Sequence, residues 1–305
     1  MLNLDDVLEQ VAREVRPVLG KGKTADYIPA LSRVPADRFG MSVVTVSGEE
    51  FSVGDAHVPF SIQSISKLFT LMMAMRLVGD DLWTRCGKEP SGSRFNSLVQ
   101  LEYEQGVPRN PFINAGALVV TDCVLSHVRD AKAAIRDYAR VLSQNFAVDF
   151  DADVAASELS TAHVNFALAH LLASHGRIAA PVDLLLDAYV HQCSLAMSCA
   201  DLARAFVPLA SRGASALLQE TVLTERQTKR INALMMTCGM YDSVGNFAYR
   251  VGMPAKSGVG GGIVAVMPGR FCAVVWSPGL DRSGNSLAGV AALEALSQIT
   301  QLSIF

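Results

Sequence analysis

The chain has 305 residues, half of them apolar, and a formal net charge of −3. That length and apolar share supply a full core for one large domain or two interleaved ones. The charge creates no field for nucleic acid or an anionic membrane, so neither is expected as a partner.

The first residues, Met1-Leu-Asn-Leu-Asp-Asp-Val, carry neither a basic n-region nor an apolar h-region, so no secretory leader is expected. Nowhere does the chain approach the roughly 18 uninterrupted apolar residues of a membrane span. Residues 3–17 predict an amphipathic helix with Leu4, Val7, Leu8, Val11 and Val15 on one face. Tyr27-Ile-Pro29 opens an irregular stretch, because the residue before a proline is pushed out of helical geometry. A hairpin follows: Met41–Val46 alternates and is β-branched, Ser47-Gly-Glu-Glu50 turns, and Phe51–Val53 returns.

Next comes Ser61-Ile-Gln-Ser-Ile-Ser-Lys-Leu-Phe-Thr70, in which Ile65, Leu68, Phe69 and Met72 keep helical spacing to about Val78. Ser64 stands at its start and Lys67 three residues on, a spacing that stacks two side chains on one side. An amine desolvated by apolar neighbours has a lowered pKa and can take a hydroxyl proton. Unpaired N–H groups at the helix start favour a developing oxyanion. The alternative for the pair is a helix cap and a surface lysine.

Residues 80–112 are rich in breakers and predict long loops. Helices are predicted over 117–129, 131–145, 161–174, 181–190, 199–211 and 225–239, the last opened by the capping box Thr224-Glu-Arg-Gln227. Strands are predicted to return after Gly245. Asn246–Val251 reads as a short one, and Pro254–Gly262 as one running into a glycine loop. Gly262–Val266 and Phe271–Trp276 form a second hairpin, and Asn285–Leu302 a closing helix. The predicted class is α/β (α+β), a mixed sheet flanked by helices. Residues 1–75 and 240–305 would build the sheet lobe and 76–239 an inserted helical lobe, with the site at their interface.

Lys256-Ser-Gly258 opens the C-terminal hairpin, and the glycines after it let backbone approach a substrate. A Ser-x-x-Lys helix after the first hairpin, with Lys-Ser-Gly opening the last, resembles the serine β-lactamase and penicillin-binding-protein fold. Six ordered motifs narrow this: Phe60-Ser-Ile-Gln-Ser-Ile-Ser-Lys67, Glu89-Pro-Ser-Gly92, Asn110-Pro-Phe-Ile-Asn-Ala-Gly-Ala117, Tyr189-Val-His-Gln-Cys-Ser194, Gly239-Met-Tyr-Asp242 and Pro254-Ala-Lys-Ser-Gly-Val-Gly-Gly-Gly262. Together they resemble the glutaminase family, which shares that fold and hydrolyses L-glutamine to L-glutamate and ammonia. The resemblance runs from Tyr27 to the last helix. It departs locally at Ala162-His-Val164 and at Ser93-Arg94.

The resemblance implies that Ser64 attacks the side-chain amide and Lys67 accepts its proton. Tyr189 and Tyr241 relay the proton to ammonia, and the Ser64 and Val259 amides hold the oxyanion. Glu158 would pair with the substrate ammonium, and Tyr27, Asn114, Asn165 and Tyr241 would donate to its α-carboxylate. It also implies a homo-oligomer, commonly a tetramer. The six histidines (His57, His127, His163, His170, His175, His191) lack metal-ligand spacing, so no metal or cofactor is expected. The six scattered cysteines, with no C-x-x-C pair, read as free thiols of a reducing cytoplasm. Two rivals share the fold, a β-lactamase or peptidase and a non-catalytic amino-acid sensor. Against the first stands the seven-residue gap from Glu158 to Asn165, wrong for a Glu-x-x-Leu-Asn motif. An asparaginase-like specificity differs by one methylene, about 1–3 kcal/mol.

Overall fold

Residues 3–305 are described by a computed structural model. The chain opens with helix α1 (Leu4–Val15), the hairpin β1 (Gly40–Thr45) and β2 (Glu50–Gly54), the short β3 (Phe60–Ser61) and helix α2 (Ser66–Leu77). A mainly helical stretch follows. It holds α3 (Leu98–Tyr103), α4 (Asn114–Leu125), α5 (Ala131–Ser143), β4 (Asp149–Phe150), α6 (Ala152–Ser160), α7 (His163–Ser174) and α8 (Val182–Cys193). β5 (Leu195–Met197), α9 (Cys199–Phe206), the minor pair β6 (Ala214–Ser215) and β7 (Glu220–Thr221), and α10 (Glu225–Cys238) complete it. The chain closes with α11 (Val244–Arg250), β8 (Ala255–Ser257), β9 (Gly262–Met267), β10 (Phe271–Trp276) and α12 (Leu287–Thr300).

The main sheet runs β2-β1-β10-β9-β8. Both faces of its central strands are covered, which is why β9 and β10 read as continuous apolar runs. Along each strand the side chains alternate between two cores. Met41, Val43, Ile263, Ala265, Ala273 and Val275 face α1 and α12, where they meet Leu8, Val11, Leu293 and Leu296. Val44, Val264, Val266, Cys272 and Val274 face the opposite way, toward Phe69 of α2 and Phe206 of α9, whose rings lie 4.5 Å apart. Each fully buried Val, Leu, Ile, Met or Phe among them contributes about 1.5–3 kcal/mol. A third core, among α4, α7 and α8, gathers Leu118, Leu168, Leu172, Leu185 and Leu186.

The α/β class agrees with the sequence, and four local features differ. Every pairing in the main sheet is antiparallel rather than mixed, because two hairpins supply four of its five strands and β1 meets β10 head to tail. Asn246–Val251 is not a strand but lies within and just past α11, where buried Phe247 and Val251 recur at helical spacing. The helix predicted to 211 stops at Phe206, since Pro208 cannot continue its hydrogen bonds and a 3₁₀ turn takes over. Helices α3 and α6 lie in stretches that carried no helical signal. Among the described residues, no helix is long and apolar enough to cross a membrane.

Candidate active site

Ser64 sits in a 3₁₀ turn, Gln63–Ile65, that leads directly into α2. Two bonds tether the turn to the end of α8 and the start of β5. Ser61 Oγ donates to the Cys193 carbonyl at 3.0 Å, and the Ile62 N–H donates to the Leu195 carbonyl at 3.0 Å. Gln63 holds a left-handed φ of +50°, and Tyr241 one of +49°, both uncommon for residues other than glycine. Such strain persists only where the surroundings over-determine it, and it clusters at functional sites.

The glycine loop after β8 packs against the same turn. A Cβ on Gly260 would lie 2.1 Å from the Ser61 carbonyl oxygen, and one on Gly258 would lie 2.5 Å from that of Ile62. Only glycine permits this approach. The loop is held from behind by Trp276 Nε1, which donates to the Gly260 carbonyl at 3.0 Å. Val259, between the two glycines, thereby borders the cavity that Ser64 borders.

Lys67 is 1% exposed. Its Nζ donates to the Phe112 carbonyl at 2.9 Å and to Asn114 Oδ1 at 2.8 Å. Burial pulls the ammonium down to about 8, against the weaker pull of Cys193 and Glu158. Asn114 Oδ1 also accepts from the Tyr189 hydroxyl at 3.3 Å, and its Nδ2 donates to Asn165 Oδ1 at 2.9 Å. One asparagine thus joins the buried amine, a buried phenol and the cavity rim. Asn110 shapes the approach to α4, its side-chain oxygen accepting from the N–H groups of Phe112 and Ile113 at 3.0 and 3.1 Å.

Glu158 lies in the last turns of α6 and is buried. Burial raises its carboxyl to about 7. A hydrogen bond from Gln63, the charge of Lys67 and a bond from Cys193 oppose that rise. The Gln63 amide reaches Glu158 Oε2 at 3.3 Å and Ser61 Oγ at 3.0 Å. A carboxylate this desolvated and this sparsely bonded suits a cationic ligand.

The cavity holds about 260 Å³, and Tyr27, Ser64, Asn114, Glu158, Asn165, Tyr189 and Val259 border it. Tyr27 is at the rim, 55% exposed. Two predicted residues lie outside this lining. Lys67 is buried beneath it, and Tyr241 stands behind it, donating to the Ser257 carbonyl at 3.4 Å. The Ser64 side chain is close enough to the Tyr241 phenol to favour its anion, although burial raises the phenol well above its usual value. Lys256 is buried too, its Nζ 5.0 Å from the Tyr241 ring centre and 5.6 Å from that of Phe112. Burial first, and the charge of Lys67 second, hold its ammonium well below the usual value. Sequence reasoning passed over Gln63, Cys193 and Phe95, which also line the cavity. Gln63 and Cys193 sit inside the motifs quoted above, and adjacency to Ser64 and Tyr189 was the available signal.

The profile of the glutaminase family matches residues 22–305. A glutaminase of Caulobacter vibrioides is 56% identical over 303 residues, covering 99% of each chain. Among solved structures, the probable glutaminase YbaS superposes with a TM-score of 0.93 at 34% identity, covering 99% of this chain and 98% of that one. The Bacillus subtilis glutaminase YbgJ, solved as a covalent complex with 5-oxo-L-norleucine, superposes at 0.88 with 32% identity, covering 99% and 100%. By profile, by identity along its whole length and by fold, the chain belongs to the glutaminase family.

Proposed function

We propose that this glutaminase cleaves the side-chain amide of L-glutamine through a γ-glutamyl ester on Ser64. The observation that carries the reading is the buried Lys67 amine, drawn down to about 8, one turn from a serine that opens onto a cavity with a buried carboxylate. In the first half, Ser64 Oγ bonds to the amide carbon and its proton passes to Lys67. The C–N bond then breaks, and ammonia leaves with a proton relayed through Tyr189 or Tyr241. In the second half, the oxygen of a water molecule bonds to the same carbon, the ester C–O bond breaks and a proton returns to Ser64. The Ser64 and Val259 amides hold the oxyanion in both halves. The packing of the glycine loop on the serine turn supports that pairing.

Glu158 binds the substrate ammonium, and Tyr27, Asn114, Asn165 and Tyr241 orient its α-carboxylate. The Bacillus subtilis relative forms a covalent complex with 5-oxo-L-norleucine, which supports covalent chemistry by a protein nucleophile in a relative of this fold. The reading includes a homotetramer in a reducing cytoplasm, which light scattering and fractionation test. The decisive experiment is Ser64→Ala. Ammonia release should fall by at least about 10³-fold while L-glutamate still binds within a few-fold of wild type. Intact mass after treatment with 6-diazo-5-oxo-L-norleucine should show one adduct on wild type and none on the variant. Near-wild-type turnover by Ser64→Ala would remove the serine from the mechanism.

A further inference from the structure

We propose that a second cavity, behind Tyr241, is the route by which ammonia leaves and hydrolytic water arrives while the glutamyl group fills the first. This rests on the acyl-enzyme reading above. The second cavity holds about 240 Å³, and Ser91, Ser93, Asn110 and Cys238 line it together with Phe112. Its rim residues Pro90, Gly92, Thr237 and Asp242 are exposed, so it opens to solvent.

Its inner wall belongs to the reacting centre. Tyr241 lines it, and so does Phe112, whose carbonyl receives the Lys67 amine. Phe95 borders both cavities, and its ring lies 5.2 Å from that of Tyr241 at 47°. Phe95 is thus shared by the two linings, with the Tyr241 ring packed beside it on the side of the second. Phe95 is half-buried on a loop, so it can turn without disturbing a core.

A second passage serves this chemistry. Once Ser64 Oγ has bonded to the side-chain carbon and the C–N bond has broken, the glutamyl group stands between the ester and the first mouth. Its ammonium is held at Glu158, which lines the first cavity. Ammonia must still leave, carrying the proton that came from the hydroxyl, and one water must reach the ester carbon. A small cavity lined by serines and asparagine, on the far side of Tyr241, accommodates both molecules and is reached without passing the amino-acid end.

The test fills this cavity. Cys238 is half-buried on its wall and the other five cysteines are buried, so Cys238→Phe occupies the space and Cys238→Ser serves as the isosteric control. Ser93→Trp, on the loop side, fills it independently and decides the matter if Cys238→Phe does not fold. Expected for both fillers is a kcat at least about fivefold lower, with inhibition by L-glutamate within about twofold of wild type. With hydroxylamine present, the share of γ-glutamyl hydroxamate among the products should also fall, since hydroxylamine is bulkier than water. Cys238→Ser should behave as wild type. Fillers that bind L-glutamate normally and keep wild-type kcat and partition overturn the route. Absence of hydroxamate from wild type overturns the acyl-enzyme itself, and the route with it.

Discussion

The Glu158→Gln variant keeps the side-chain volume, and its amide oxygen can still accept from Gln63, which reaches the carboxylate at 3.3 Å. What it removes is a buried charge. A carboxyl raised from 4.5 to about 7 corresponds to roughly 3 kcal/mol against the ionised form. Because the folded pKa lies above the unfolded one, the folded state holds the proton more tightly. Wild type therefore loses stability as pH rises from about 4.5 to about 7, and above that the loss is complete. The variant lacks this dependence. At pH 8 its Tm should exceed that of wild type by up to about 5 °C for a chain this long, and near pH 5 the gap should nearly close. Activity should move the other way. Loss of a charged hydrogen bond to the substrate ammonium, about 1.5–3 kcal/mol, raises KM for L-glutamine about 10- to 200-fold. Scanning calorimetry at the two pH values and an ammonia-release assay read both effects. A Tm gap independent of pH, or an unchanged KM, would refute the assignment of Glu158 as the buried, ligand-binding carboxylate.

Lys67 must shed a proton to act as base, so kcat should climb with pH and level off past about 8. A flat profile between roughly pH 6.5 and 9 would show that this amine does not titrate in turnover. Tyr241→Phe keeps the ring against Phe95 and deletes the hydroxyl near Ser64. Its kcat should fall about 10²- to 10³-fold, with KM rising as well from the lost contact to the α-carboxylate, and a wild-type kcat would exclude the phenol as proton relay. Gly260→Ala pushes a methyl into the Ser61 carbonyl and should cost about 2–4 kcal/mol of stability together with most activity; a wild-type melting curve would contradict the contact.

Periodicity made the sheet lobe legible. The hairpins β1–β2 and β9–β10 alternate or run apolar, and α1 shows Val7, Leu8, Val11 and Val15 on its buried face. Helix α6 stayed hidden because its inward face is Val154, Ala155 and Glu158, so the residue that matters most there breaks the apolar pattern. Helix α11 is only seven residues long, too short for period 3.6 to be told from period 2. In the site, Ser64 and Lys67 were visible by spacing, and the other candidates by the order of motifs. The bond from Gln63 to Glu158 spans 95 positions, and the second cavity joins loops near 91 and 110 to the end of α10. Such long-range pairings leave no trace in local patterning, so only a folded chain displays them.

The seating of Gly258 and Gly260 against the Ser61 and Ile62 carbonyls fastens the last hairpin to the nucleophile turn at two points. A side chain at either glycine would collide with the turn, so the close approach depends on both lacking one. The loop is thus set close to the serine by backbone packing on one side and by Trp276 on the other, whereas on the opposite wall Tyr27 stands at the rim, 55% exposed. A change at either glycine therefore reaches the serine without touching any catalytic side chain.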